Sequence, residues 1–497
     1  MPVLDGSQRL CTRTLGDTYP YWWRAADGRV HTSEFFADAM AEAGSAARTL
    51  DPVAVLSILS LQYIALDRTL VQGVSRLGWM SEVDADGVER YEAAPVHGVR
   101  QAAPAQIARE LRVLLEREVL GYCRGKSKVY LLLSGGMDSR VMAGVVAALQ
   151  RRGELSMPVV AVTWGIEQSR DRQYAEQIAK HYGWEWHWAE LNAQHYWAQF
   201  ELCATQLGAE VDPKHLHRMD WFARAERDAV VLAASYGDSV GRAEYSSLHL
   251  GVVPRLAPAE RYRLLKPTVR DAAWLQLVHD IEAIRGRYGV RSELGWRELE
   301  RQSHYMRRML CTTTGVIGRW CSLKQLFTQR DILELMWGLD VSCRQGETYG
   351  ELLRDLDPKL LDFAWARTGQ RYDNGAGEDA RFTKRHHRYG QWLRGEHADR
   401  LGELLFHRKL AELEVFDLGQ IEFMYREWRR ERTADDTSLA TQLSSLAVLS
   451  LAAQRFDITA PVSYDARGPR AKARGFLETR AARAYQVARR VSRPWRV

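Results

Sequence analysis

From residue 105 to residue 241 the chain alternates short apolar runs with longer amphipathic ones. Ile107, Leu111, Leu114, Leu115 and Val119 share one stripe at helical spacing, which predicts a helix over 105–122. Val129 to Leu133 is a continuous apolar run that stops at Ser134-Gly135-Gly136, and an Ala- and Val-rich run follows. "MPVVAVTWG" (157–165), bounded by Pro and Gly, predicts a buried strand. "DRQYAEQIAKHYG" (171–183) predicts a helix closed by Gly183. "WEWHWAEL" (184–191) alternates, with Trp184, Trp186 and Trp188 on one face, as a strand does. "AVVLAASYGDSVG" (229–241) predicts a further buried strand ending in small residues. Strands alternating with helices in this way predict a parallel sheet with right-handed crossovers.

The flanks read differently. "LDPVAVLSILSLQYI" predicts a helix with Asp51 as cap and Pro52 at its first position. Short alternating runs then break at Asp86-Gly87, a hairpin turn. Residues 95 to 104 read as a linker. From 255 to 455 the pattern is long, charged and mostly helical, without strand rhythm. The fold class expected is α/β: a parallel twisted sheet with helices on both faces, a mainly helical C-terminal part and a small α+β N-terminal region.

Composition changes this picture little. The chain has 497 residues, 46% hydrophobic and 27% charged, an ordinary globular balance. No window is apolar enough for a membrane span, and "MPVLDGSQRL" has no apolar signal core, so a cytoplasmic location is expected. Cys11, Cys123, Cys203, Cys311, Cys321 and Cys343 are scattered, with no C-x-x-C pair, which argues against a disulfide framework or a zinc or iron–sulfur site. His215, His217, His386 and His387 form two short pairs, neither with a matching second half for a metal. The net charge of +6 is concentrated in residues 461 to 497, a basic tail that could touch nucleic acid, an acidic partner or a membrane surface, or remain a solvated terminus.

The candidate chemistry lies in "SGGMDS", residues 134 to 139. Parallel sheets bind ligands beyond the carboxyl ends of their strands, where this loop falls. Gly135 and Gly136 let backbone amides approach an anion, and the following helix adds uncompensated amides and its positive end. Ser134 and Ser139 add hydroxyls. The assembly suits a phosphate chain, yet it holds no lysine and is not a Walker loop. Asp138 would repel phosphate unless Mg²⁺ lay between them.

Strand–SGGxDS–helix resembles the phosphate loop of the N-type ATP pyrophosphatases. "VTWGIEQSRDRQYAEQIAKHYGWEWHWAEL" resembles the synthetase domain of class B asparagine synthetases in order and spacing. The resemblance implies ATP and Mg²⁺ as cofactors, with Ser134, Gly135, Gly136, Asp138 and Ser139 at the phosphates. It places Val162 and Trp164 near the adenine. "VVLAASYGDSVG" resembles the family's S-G-x-G-x-D-E loop, one residue short, with Gly237 in the loop and Asp238 matching a second Mg²⁺ ligand beside Asp138. A Tyr-Gly pair here resembles β-lactam synthetases, which implies Tyr236 as a base towards an attacking amine, with Glu300 as one helper among competing acids. The family's late lysine is absent near "LDFAWARTGQRYDNG", leaving Arg367, Arg371 or Lys384 to substitute.

Residues 50 to 91 resemble the family's interdomain stretch, and the family's N-terminal cysteine nucleophile has no counterpart. The implied domains are a reduced glutaminase-like remnant without nucleophile (1–98), an ATP-binding synthetase domain (99–460) and the basic tail (461–497). The expected function is an ATP-dependent, AMP-forming carbon–nitrogen ligase that joins a small-molecule or peptide carboxylate to an amine without glutamine hydrolysis. An ammonia- or substrate-delivering partner protein is the other source of the amine. Two further readings stay open: a tRNA-modifying ATP pyrophosphatase, with nucleic acid held through the basic tail, and a catalytically reduced nucleotide-binding partner protein.

Overall fold

The structure is a computed structural model. It describes residues 4, 8–25, 27–44, 48–243, 259–372, 381–431, 437–461 and 475–485. At its centre lies a five-stranded, all-parallel sheet built from β7 (Val129–Leu132), β8 (Val159–Gly165), β9 (Glu185–Glu190), β10 (Val230–Ala233) and β11 (Ser322–Gln325), in the order β11-β10-β7-β8-β9. The inner strands are apolar on both faces because both faces are covered. Tyr130, Leu132, Val160, Val162, Val231 and Ala233 point into one core. Their alternating neighbours Val129, Leu131, Val159, Ala161, Val230 and Leu232 point into the other.

On the second of these faces lie α3 (Pro104–Cys123), α4 (Met137–Arg151) and α5 (Arg170–His181), whose stripes Ile107/Leu111/Leu115, Val141/Val145 and Ala175/Ile178 fill the core. On the other face lie α6 (Ala193–Leu207) and the long helix Ser438–Arg455, the latter buried on nearly every side. The parallel α/β sheet, the mainly helical C-terminal part and the small N-terminal antiparallel sheets are therefore present.

The N-terminal region holds two three-stranded antiparallel sheets, β1 (Arg9–Thr12) with β5 (Ser81–Asp84) and β6 (Glu89–Tyr91), and β3 (Val30–Ser33) with β2 (Tyr21–Arg24) and β4 (Ser75–Arg76). The Asp86-Gly87 turn joins β5 to β6, with Gly87 in the left-handed region at φ 71°. α1 (Phe36–Glu42) and α2 (Pro52–Leu61) complete it, α2 capped by the Asp51 carboxylate accepting from Val53 N at 2.9 Å. This region's own core is a small cluster of Leu4, Val30, Leu77 and Val83. Tyr21, Trp23, Phe36 and Leu56 share a core with Leu443, Ala447 and Ile458, while Leu15, Tyr19 and Trp79 join the core beneath β7 and α3. The hydrophobic interior runs continuously across residue 98.

Two features differ from the sequence reading. β11 was missed because "SLKQ" is short, polar and half exposed, as an edge strand can be. Within the basic tail, residues 475–485 are helical and docked: Gln420 donates to Thr479 Oγ1 at 3.1 Å and Arg483 pairs with Glu427 at 2.6 Å. Most of the tail's arginines lie outside the described residues. Among the described residues no helix is long and apolar enough to cross a membrane.

Candidate active site

The loop from Ser134 to Ser139 leaves the carboxyl end of β7 and enters α4. Its shape is held by its own hydroxyls. Ser139 Oγ accepts from Ser134 N at 3.2 Å and lies 3.0 Å from Ser134 Oγ, which accepts from Gly136 N at 3.1 Å. No side chain caps α4 at Gly136, so its first-turn amides remain available to an anion. From below, the fully buried Arg140 donates to Gly135 O at 3.0 Å and to the carbonyls of Phe363 at 2.7 Å and Leu360 at 3.3 Å. Burial pushes the Arg140 guanidinium down to about 10, still charged at neutral pH. Gly135 is pressed between Ala366 and Tyr174; a Cβ there would lie 2.8 Å from that of Ala366.

Above this loop opens a cavity of about 400 Å³. Its floor is the ends of β7, β8 and β10, with Leu132, Leu133, Thr163, Trp164, Ala233 and Ala234. Ser134, Gly136, Asp138 and Ser139 form one wall, and Asp238 enters beside them from the loop after β10. The two aspartates come from adjacent parallel strands. Their loops touch so closely that a Cβ on Gly237 would fall 2.6 Å from Asp138 Cβ and 2.7 Å from its Cγ. Tyr349 fixes the second loop by donating to Gly237 O at 2.7 Å, and the buried Arg344, paired with Glu298 at 2.5 Å, donates to Val240 O at 2.8 Å. Gly237→Ala should therefore cost about 1–3 kcal/mol through overpacking. It should also weaken nucleotide binding by separating the aspartates, which unfolding curves and ATP titration would show together.

Opposite lies the segment Arg301–Cys311, a π-helical continuation of α8 (Glu293–Glu300; α7 is Pro267–Arg287), which contributes Tyr305, Met306 and Leu310. Wide helical turns of this kind recur at functional sites. The remaining wall is Asp171 and His386. Asp171 Oδ1 accepts from Gly135 N at 3.1 Å, and burial pushes its carboxyl above the ordinary range while His386 and that amide oppose the shift. Behind His386 the aromatic rings pack in series: Trp164 stacks on His217 at 5.5 Å, His217 meets His386 edge-on at 5.3 Å, and His387 stacks on Tyr389 at 4.1 Å. His217 Nδ1 is 2.8 Å from the Tyr389 hydroxyl. Burial holds these imidazoles uncharged, His387 down to about 3 and His217 well below its usual value. The two histidine pairs thus meet, but as a stacked wall; among the described residues no group of three or more His, Cys, Asp or Glu could hold a metal ion.

The structure brings Ser134, Gly136, Asp138, Ser139, Trp164 and Asp238 to one cavity, with Gly135 and Gly237 shaping it. It does not bring four other candidates. Tyr236 is fully buried beneath its loop, its hydroxyl 2.9 Å from Cys311 Sγ and 3.3 Å from Leu15 O, and burial pushes its proton affinity well above the usual range. Glu300 pairs with Arg285 at 2.5 Å. Arg367 is exposed, its guanidinium 5.6 Å from the Trp365 ring. The Val162 side chain points into the core, and only its carbonyl, accepting from Leu133 N at 3.0 Å, serves the site's frame. Residues the sequence reading did not use are Asp171, His386, Tyr305 and Arg242, the last with Nη2 3.4 Å from Asp138 Oδ2.

A phosphate-type loop and two acidic strand ends facing one cavity on a parallel sheet define a nucleotide-binding α/β protein. Residues 110–317 match the asparagine synthase family model. The chain is 27% identical over 164 residues to the glutamine-hydrolysing asparagine synthetase of Gallus gallus, and 24% identical over 164 residues to that of Bos taurus. Each match covers 31% of this chain and 29% of the relative, so the chain spans less than a third of the length of these relatives. Among solved structures it is similar to the NMN synthetase of Francisella tularensis at 14% identity, over 44% of this chain and 94% of that one. The TM-score of 0.21 is too low for that likeness to carry an argument.

Proposed function

We propose that the chain is an ATP-dependent ligase that adenylates a substrate carboxylate, releasing pyrophosphate, and lets an amine attack the acyl-adenylate. The observation that carries this reading is the convergence of Asp138 and Asp238 on one cavity beside the open amides of α4. Two carboxylates and two serine hydroxyls are hard oxygen donors, and they fit Mg²⁺, which takes one or two carboxylates and completes its shell with phosphate oxygens and water. Bound there, the ion would neutralise charge on the leaving pyrophosphate.

The chain's own groups supply the rest. The Ser134–Ser139 loop and the first turn of α4 orient the phosphates, and Asp138 and Asp238 would hold the metal. Trp164 and the neutral imidazole of His386 give a flat, uncharged wall suited to a base. Tyr305, Met306 and Leu310 leave an apolar face for the carboxylate-bearing substrate. The proton of the attacking amine needs an acceptor at the cavity, and His386 is an uncharged base there at neutral pH, whereas Tyr236 is turned away. Tyr236→Phe should consequently leave both adenylation and amide formation near wild type; a selective loss of the second step would restore Tyr236 as the base.

The amine comes from the substrate or from a delivering partner protein. Cys11 lies inside β1, 3.6 Å from Glu82 Oε2, and burial pushes its thiol up, which disfavours a nucleophilic thiolate. Incubation with ATP, Mg²⁺ and cell extract, followed by mass spectrometry, tests the reading. AMP and a product lighter by one water than its components are expected. Release of ADP, or ATP left intact across extracts, would overturn it.

A further inference from the structure

The resemblance attributes a lysine at the pyrophosphate to the late segment, and residues 361–372 hold none. Several nearby arginines are otherwise committed. Arg140 holds backbone carbonyls under the loop, Arg172 lies over Trp188 at 4.6 Å, and Arg301 lies over Tyr305 at 3.6 Å. Arg367 is exposed beside Trp365.

Resting on the ligase reading above, we propose that Arg242 is the residue that receives the leaving pyrophosphate. It follows Asp238 by four residues on the same loop, and its side chain is only 14% exposed. Its guanidinium lies 5.2 Å from the Tyr349 ring and 5.8 Å from the Trp365 ring. Nη2 reaches Asp138 Oδ2 at 3.4 Å, longer than the roughly 2.8 Å of a strong charge-assisted bond. Arg242 therefore stands at the carboxylate that faces the phosphates. When the substrate carboxylate oxygen attacks the α-phosphorus, the bond to the bridging oxygen breaks and its electron pair leaves with pyrophosphate. Arg242 keeps its proton and donates its fork to the new terminal oxygens, and Asp138 would hold the metal, if one is bound. The role attributed in the resemblance to a lysine from the late segment is thus met from the second acidic loop.

Calorimetric titration with pyrophosphate plus Mg²⁺, and separately with AMP, tests this on the full chain and on Arg242→Gln and Arg242→Lys. The expected result is a pyrophosphate affinity at least tenfold weaker in Arg242→Gln, partly recovered in Arg242→Lys, with AMP affinity within about twofold of wild type in both. The AMP arm reports the fold and the nucleoside end of the site. Wild-type pyrophosphate affinity in both variants, or equal loss of pyrophosphate and AMP, would overturn the assignment. Failure of the wild-type chain to bind either ligand would instead sink the ligase reading on which it rests.

Discussion

Asp138→Asn is expected to abolish Mg²⁺-dependent pyrophosphate release, by roughly a hundredfold or more, while the melting temperature changes little. The side chain sits in the first turn of α4, where its carboxylate faces the cavity beside Asp238. The amide is isosteric, so Gly237 keeps its close seat against the side chain and the loops stay in register. What is lost is one negative charge at the place where a metal would bridge protein and phosphate, together with the ion pair to Arg242. Pyrophosphate–ATP exchange measured at several Mg²⁺ concentrations separates the causes. A metal role predicts that added Mg²⁺ partly restores exchange; a purely structural role predicts no dependence on Mg²⁺ and a lower melting temperature.

Stability should fall steeply on mild acidification. His215 and His387 are pushed down to about 3 by burial and neighbouring cations, and His217 lies well below its usual value because it is wholly enclosed. In the unfolded chain each would titrate near 6.5. The unfolded state therefore binds more protons below that value, so the stability contributed by the neutral rings is complete above about pH 6.5 and is lost as pH falls towards 3. His304 is likewise pushed down to about 3, and the buried Glu118 carboxyl, pushed up to about 7, opposes the four histidines, so a net three protons give a slope of about 4 kcal/mol per pH unit between pH 6.5 and 4.5. A domain of ordinary stability, about 5–15 kcal/mol, would lose most of it between pH 6.5 and 4. Urea midpoints at pH 7.5 and 5.5 check this, and His217→Gln should flatten the slope by about one third. The depressed carboxyl Glu298, at about 2, acts only below the ordinary carboxylate range and does not mask the effect. A midpoint unchanged between these pH values would mean that the rings are solvated.

The parts of the fold that could be read from the chain are those where local pattern and burial agree. β7, β8 and β10 are apolar on both faces because both faces of the sheet are covered, and their bounding glycines and polar turns mark the ends. The loop Ser134–Ser139 was legible because strand, glycines, aspartate and helix follow one another without interruption. β11 was not, since a polar edge strand lacks the signal. Tyr236 shows the limit of resemblance. Its hydroxyl turns away from the cavity into the core, against the carbonyl of Leu15, a residue 221 positions away. Asp171 and His386 meet because Thr383 N donates to Gln168 O at 2.8 Å and Ile166 N to His386 O at 3.0 Å, a non-local pairing that no periodicity announces. Arg242 sat four residues from a residue already singled out, but nothing in its spacing distinguishes it from a surface arginine until Tyr349 and Trp365 close over it.

The central claim is that one nucleotide lies against the Ser134–Ser139 loop with a metal between Asp138 and Asp238. A crystal structure with a non-hydrolysable ATP analogue and Mn²⁺, read by anomalous scattering, tests it most directly. The account predicts a manganese peak about 2.2 Å from carboxylate oxygens of both aspartates, with the phosphates on the amides of α4. Nucleotide bound outside this cavity, or phosphates seated there with no metal at either aspartate, would contradict it.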